Sequence, residues 1–472
     1  MNTAVFKSYD VRGVYGKELF DEDAYLLGRA FANILSDRYA LPMDRLRVVV
    51  ARDARLSSPA LSRALIKGIT DSGAMVNDIG IVSTDILYFA CGAFRFDGGV
   101  VITASHNPPQ YNGLKFCARF AEGISGETGI FAMRDMILQG AFENGEVAGK
   151  KGRIETHAVL DHYISKCLTF IDTPNVLPLT IAVDAGNGVA GMNILKIQES
   201  LPVKFIPLFF EPDGEFPNHP SDPTHPENLI DLIQTVKTEN ADLGIAFDGD
   251  GDRAVFIDET GKIVDGAFVL CLLAREFLQR RSGETIVHSS VCSRIVLETV
   301  RAYGGVPVVS PVGHSYMKKV MREQGAVFGG ESMAGHYYFR DNFFADSGLI
   351  AALMIISILS KSGAPFSRLT EPFQKYVRSG QINQAVADPS ALIAKISQHY
   401  QDGTLADFDG VRIDYPDWWF SLRASNTEPL LRLNVEAVSK ELMEQKRDEI
   451  LKLLGGPYMK NPSKSAFRKG DF

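Results

Sequence analysis

Residues 47–54 (RVVVARDA), 180–191 (TIAVDAGNGVAG) and 285–294 (TIVHSSVCSR) share one pattern, an apolar, β-branched run that breaks off into small and polar residues. Such a run reads as a buried strand entering a helix. Each is followed, a helix's length later, by a second strand-like run: 74–80, 203–210 and 306–309. A third run then ends in a polar loop: 99–104 before SHNPP, 243–247 before DGDGDR, and 326–328 before GGESMAGH. Three α/β units on one plan, each presenting one loop, bring the loops into a shared cleft. The competing account is the chance alternation of strands and helices found in any α/β chain.

The C-terminal part departs from this plan. Runs 411–415, 419–423 and 431–435 are short and alternating, with turn residues between them, and a polar amphipathic helix follows around 440–454. The expected architecture is α/β: three similar domains with mixed sheets at 1–152, 153–258 and 259–371, and a C-terminal α+β domain at 372–472, arranged around a central cleft.

The length agrees: 472 residues at about 150 per domain make three or four domains. With 49 Lys plus Arg against 57 Asp plus Glu, the net charge of −8 argues against nucleic acid or an anionic membrane as partner, so phosphate binding has to be concentrated in a site. Residues 1–12 hold no apolar core of signal-peptide length, and the longest apolar run, 349–359, is too short to span a bilayer. Cys91, Cys117, Cys167, Cys271 and Cys292, odd in number and without a CxxC, fit reduced thiols and a cytoplasmic location. The tail 457–472, with Lys460, Lys464, Arg468 and Lys469, is expected to be a frayed terminus rather than a binding arm.

Asp248, Asp250 and Asp252 alternate with glycine and end at Arg253. Three carboxylates on a tightly turning backbone converge on one hard cation, here Mg²⁺ with an open position for a phosphate oxygen that Arg253 can also contact. An EF-hand loop is the competitor, since Glu259 is twelfth from Asp248; but Arg253 stands sixth, where that loop needs glycine, and the flanks read as strands. A plain solvated acidic turn would leave three acids repelling each other.

In TASHNPPQYNGLK (103–115), Ser105 ends an apolar strand, Pro108 and Pro109 block a helix, and Asn112 with Gly113 turns the chain so that Lys115 comes back. A hydrolase triad is disfavoured: there is no GxSxG, and His106, next to Ser105 in an extended segment, is expected to point away from it. An ordinary turn with a capping serine remains open. RASNTEPLLR (423–432) offers a guanidinium, two hydroxyls and an amide as a cradle for a terminal phosphate, or else a polar hairpin turn. In GGESMAGH, Glu331 can accept from two vicinal hydroxyls of a sugar. Lesser signals are Tyr9 to Gly13 (YDVRG) and Gly313, His314, Ser315 before Lys318 and Lys319.

TASHNPPQYNGLK, DGDGDR, GGESMAGH and RASNTEP, in this order, resemble the α-D-phosphohexomutase family and its bacterial phosphomannomutase/phosphoglucomutase group, from about Phe6 to Ala437. The resemblance implies four domains in a heart shape around a cleft, with Ser105 as phosphoserine and Mg²⁺ on Asp248, Asp250, Asp252 and the Ser105 phosphate. It implies a catalytic group of Ser105, Lys115, Arg12, His106 and Asn107. Substrate would be held by Tyr9, Arg253, His314, Glu331, Ser332, His336, Arg423, Ser425, Asn426 and Thr427.

The same resemblance implies reversible phosphoryl transfer between C1 and C6 of a hexose phosphate, mannose and/or glucose. Glucose 1,6-bisphosphate or mannose 1,6-bisphosphate is the intermediate and activator, and the enzyme a monomer or homodimer. Phosphoglucosamine mutase, a non-catalytic phosphosugar-binding protein and a Mg²⁺-dependent sugar phosphatase are the alternatives. Two departures stand out: GESMAGH has one residue more between Glu331 and His336 than bacterial members commonly have, and the lysine many relatives carry in the third unit falls near Val291, leaving Arg294 as the nearby substitute.

Overall fold

The computed structural model describes residues 1–142, 151–386, 388–424 and 430–455. Its three α/β units share one strand order. In each, a first strand (Arg47–Arg52, Thr180–Asp184, Thr285–Ser289) lies in the middle of the sheet. A second (Met75–Ile81, Lys204–Leu208, Val306–Ser310) pairs with it in parallel on one side. A third (Gly98–Ile102, Leu243–Phe247, Phe328–Glu331) pairs in parallel on the other. A fourth (Tyr111–Ala118, Ala254–Asp258, His336–Phe339) returns antiparallel to the third. Continuous apolar runs suit the first and third strands of each unit, because those strands are covered on both faces.

This order gives the polar loops their place. Each of the three is the hairpin turn between the third and fourth strands, at the carboxyl edge of the parallel part of its sheet, where open α/β sheets bind ligands. The flanks of DGDGDR are strands in register from Leu243↔Asp258 to Phe247↔Ala254, so the EF-hand alternative fails. The strand expected at 326–328 runs instead over Phe328–Glu331. Gly329 and Gly330, weak strand formers alone, are held by pairing with the first strand on one side and with Tyr338 and Tyr337 on the other.

The three units are joined through one continuous apolar core that runs from Val49 through Ile181, Phe256 and Ile286 to Phe373. Helix Gly348–Ser362 carries the apolar run 349–359 into that core and is buried on all sides. Among the described residues no single helix is long and apolar enough to cross a membrane. Strand Ile154–Thr156 still pairs with Met75–Ile81 and extends the first sheet.

The C-terminal part has its own core and an antiparallel sheet in the order Val377–Arg378, Leu430–Ala437, Trp418–Ala424, Val411–Asp414, Thr404–Asp407, with Ile382–Ala385 also beside Leu430–Ala437. Helices Pro389–His399 and Lys440–Leu454 cover it. Three strands were legible in advance; the edge strands 377–378, 382–385 and 404–407 are additional.

Candidate active site

Ser105 is buried at the end of the third strand of the first unit, and its backbone is left-handed (φ 51°). For a residue with a Cβ that costs about 1–2 kcal/mol, which the surroundings have to offset. Its N–H donates to Thr103 Oγ1 (2.9 Å) and its Oγ donates to Asp248 Oδ2 (2.6 Å), across to the second unit. The close approach relies on Gly249: a Cβ there would lie 2.8 Å from the Ser105 carbonyl oxygen.

Asp248, Asp250 and Asp252 are all buried, with one oxygen from each within 4.8 Å of the others. Lys115, returned by the fourth strand opposite Val101, donates from Nζ to Asp250 Oδ2 (2.7 Å) and Asp252 Oδ2 (2.9 Å). Thr84 Oγ1 donates to Asp250 Oδ2 (2.6 Å). Arg253 reaches Asp248 from above, Nε to Oδ2 at 3.5 Å. Burial pushes the Asp250 carboxyl up, but Lys115 and Thr84 outweigh it and hold it ionised, below the usual carboxylate range. Asp248 takes the cost of the cluster, raised by burial and by its two acidic neighbours.

Asp250 Oδ1 and Asp252 Oδ1 are buried without a hydrogen-bond partner among the described residues. Three carboxylates against Lys115 and Arg253, with two such oxygens left over, fit a divalent cation with oxygen ligands. The donor set is therefore suited to a hard metal ion.

His106 corrects an expectation. It does not point away from Ser105: its Nδ1 is 3.3 Å from Ser105 Oγ. The forecast assumed an extended backbone, whereas the left-handed turn at Ser105 folds the next side chain back. Burial and the cations Arg253 and Arg12 hold this imidazole well below its ordinary pKa, hence neutral. Asn107 Oδ1 accepts from Arg12 NH1 (2.6 Å), and Arg12 also pairs with the buried Asp10.

In the third unit Glu331 and His336 face each other across the hairpin. Glu331 Oε1 accepts from the Gly313 N–H (2.8 Å) and Oε2 from the Tyr338 hydroxyl (2.7 Å). His336 Nδ1 is 2.7 Å from Asp346 Oδ2 and 3.9 Å from Asp252 Oδ1, so this hairpin meets the acidic cluster of the second unit. Lys318 closes the group on Asp346 Oδ1 (2.8 Å). Ser332 Oγ lies against Cys292 Sγ (3.5 Å), and Met333 rests on Arg378. Tyr9 donates to the Val312 carbonyl (3.3 Å) and stands edge-on to His314 (5.7 Å), joining first and third units. Burial and Lys318 keep His314 neutral.

Arg423, from the C-terminal sheet, is buried directly opposite Arg432. Two guanidiniums so placed favour an anion between them. Asp409 Oδ2 lies 3.9 Å from Arg423 Nε and accepts from Ser290 Oγ (3.0 Å) and the Val312 N–H (2.9 Å), fastening this domain to the third unit. Ser425, Asn426 and Thr427 lie outside the described residues, as does the tail 457–472. The Arg294 guanidinium donates to Asp414 Oδ1 and to the carbonyls of Pro416 and Tyr415, on the C-terminal domain.

Residues 3–139, 161–261 and 265–376 match the family descriptions "Phosphoglucomutase/phosphomannomutase, alpha/beta/alpha domain" I, II and III, and 382–453 the C-terminal domain of the same family. The chain belongs to the phosphoglucomutase/phosphomannomutase family.

A relative described as "Phosphohexose mutases" from Xanthomonas campestris pv. campestris is 41% identical over 97% of this chain and 100% of its own. A "Phosphomannomutase/phosphoglucomutase" of Pseudomonas aeruginosa is 39% identical over 94% of this chain and 93% of its own. A crystal structure of a phosphoglucomutase/phosphomannomutase family protein from Burkholderia thailandensis superimposes with TM-score 0.89 at 36% identity, covering 97% of this chain and 100% of that one.

Thr84, Asp346 and Arg55, which no motif contains, touch the site, as do Thr103 and Lys318, which the sequence offers only as neighbours of stronger candidates. Arg55 directly follows the first stretch that was read, RVVVARDA; nothing local marks it. Its role depends on a loop that begins 50 residues later.

Proposed function

We propose that this protein interconverts the 1- and 6-phosphates of a hexose, mannose and/or glucose, through a phosphoserine at Ser105 and a 1,6-bisphosphosugar. The observation that carries this reading is the Ser105 hydroxyl at 2.6 Å from Asp248, inside the carboxylate cluster that faces Lys115.

In the forward half-reaction the O6 hydroxyl of the hexose 1-phosphate attacks phosphorus on Ser105 and the P–Oγ bond breaks; O6 gives its proton to a base, and the departing Oγ takes one up to become the Ser105 hydroxyl. Because the attacking and leaving oxygens lie in line across phosphorus, His106 Nδ1, 3.3 Å from Oγ, stands on the side of the leaving oxygen. The bisphosphate then turns over and Ser105 Oγ attacks the other phosphorus, so the enzyme is phosphorylated again. Lys115, Arg12 and Arg253 surround Ser105 with positive charge, which such a transfer needs more than covalent chemistry. Mg²⁺ held by Asp248, Asp250 and Asp252 would supply further charge compensation and orient a phosphate oxygen. Glu331 reads sugar hydroxyls, and Arg423 with Ser425, Asn426 and Thr427 holds the phosphate that does not react. Tyr9, His314, Ser332 and His336 line the sugar site.

The division into 1–152, 153–258, 259–371 and 372–472 assigns one loop to each unit, residues 154–156 still pairing with the sheet they leave. Five buried free cysteines fit a reducing cytoplasm, with the protein as monomer or homodimer.

The test is to assay mannose, glucose and glucosamine 1-phosphates side by side, with Mg²⁺ and a trace of the matching 1,6-bisphosphate. The isomeric 6-phosphate is the expected product, with one phosphoryl group on the intact enzyme that hexose 1-phosphate removes. Inorganic phosphate as the product would point to a phosphatase, and no turnover of any of the three to a binding protein.

A further inference from the structure

Arg55 lies outside every motif that carries the resemblance, yet one buried guanidinium spans the whole Ser105 loop. Its NH2 donates to the carbonyls of Ser105 (2.7 Å) and Asn107 (2.6 Å), and its NH1 to those of Pro108 (2.8 Å) and Tyr111 (3.1 Å). Nε is held by Asp53 Oδ2 (3.1 Å), whose other oxygen accepts from Ser58 Oγ and the Arg55 N–H. The far end of the loop is tied to the same turn, since Asn112 Nδ2 donates to Ser57 and Ser58. Four carbonyls converging on one point would repel each other without a planar cation between them.

The second unit closes the arrangement. The Phe216 ring lies beneath the guanidinium, 5.0 Å from Cζ to centroid. Gly214 packs on the backbone of the same turn, so that a Cβ there would meet Leu56 N at 2.5 Å and Arg55 Cα at 2.7 Å. Arg55 thus lies between the segment that bears Ser105 and the unit that bears Asp248.

We propose that Arg55 is a positioning residue for phosphoryl transfer: it holds the left-handed backbone at Ser105, and through it the aim of Oγ at the acidic cluster, without touching the reacting atoms. The kinetic part of this inference rests on the mutase reading given above; the structural part does not. Lysine keeps the charge but lacks the fork, and one ammonium cannot reach four carbonyls in a plane.

Arg55→Lys is expected to lower kcat about 100-fold, as a displacement near 1 Å does, with KM changed by less than about threefold because no substrate contact is lost. Amide hydrogen exchange of residues 105–111 is expected to rise about tenfold as the loop opens locally, with exchange in the other three units unchanged. Gly214→Ala pushes on the same turn from the second unit and is expected to give the same split on a smaller scale, which keeps the test open if Arg55→Lys does not fold. Unchanged exchange in 105–111, or an unaltered kcat in either folded variant, overturns the proposal. A wild-type protein without mutase turnover refutes the functional reading instead, and the exchange measurement still decides whether Arg55 holds the loop.

Discussion

Ser105 Oγ donates a 2.6 Å hydrogen bond to Asp248 Oδ2 across a separation of 143 residues. The pair joins a hydroxyl from the first unit to the first carboxylate of the second unit's acidic loop, and both side chains are buried. A hydroxyl in that position is within reach of whatever cation the three carboxylates hold.

In the proposed reaction, replacing Ser105 by alanine would leave no acceptor for the phosphoryl group. Turnover of hexose 1-phosphate is expected to fall by about three orders of magnitude or more, while the thermal midpoint changes little. Intact-mass measurement after incubation with the 1,6-bisphosphate should show no added phosphoryl group. Near-normal turnover by Ser105→Ala would remove Ser105 from the mechanism.

Asp250 is the carboxylate that Lys115, Thr84 and Thr103 all address. Asp250→Asn removes one negative charge from the cluster, so the Mg²⁺ concentration for half-maximal activity should rise at least about tenfold. Chelation should abolish wild-type turnover, and added Mg²⁺ restore it. A Mg²⁺ titration that superimposes on that of the wild type would count against Asp250 as a ligand.

In the proposed reaction Arg423→Ala would delete charged hydrogen bonds to the phosphate that does not react. These are present in ground and transition states alike, so KM should rise about tenfold or more while kcat falls less. The opposite split, with KM constant, would place Arg423 outside the substrate pocket.

Asp85 offers a test by pH. It is fully buried where the three α/β units meet, accepting hydrogen bonds from Ser83, Tyr163 and Ser347, and burial pushes its carboxyl up to about 7. The folded state therefore holds a proton that the unfolded chain, at about 3.9, releases earlier. The contribution to stability is full below pH 4, declines as pH rises, and is lost once pH passes 7. Asp85→Asn cannot titrate, so its thermal midpoint relative to wild type should climb between pH 4 and 7 and level off above. A difference that stays constant across that range would show that Asp85 is ionised in the fold.

Local pattern carried much of this in advance. The strand forecast at 243–247 is Leu243–Phe247 and the helix forecast around 440–454 is Lys440–Leu454, because continuous apolar runs and amphipathic spacing are properties of neighbours in the chain. The acidic loop was legible for the same reason: Asp248, Asp250 and Asp252 need only each other and two glycines. Where a forecast failed, a backbone conformation or a distant partner intervened. His106 lies against Ser105 because of a positive φ that no propensity announces, and the strand expected at 326–328 lies at Phe328–Glu331 because its neighbours pair with Gly329 and Gly330.

Residue type and spacing along the chain pointed to the threefold α/β plan and to a loop at the end of each third strand, both present in the fold. Folding decided how the loops meet: Ser105 on Asp248, His336 beside Asp252, Asp409 between Arg423 and Val312. It also made Arg55, unremarkable in its own segment, the support of the Ser105 loop. Such contacts join residues tens to hundreds of positions apart. They form only when the shared core fixes one unit against the next, and no short-range pattern encodes that.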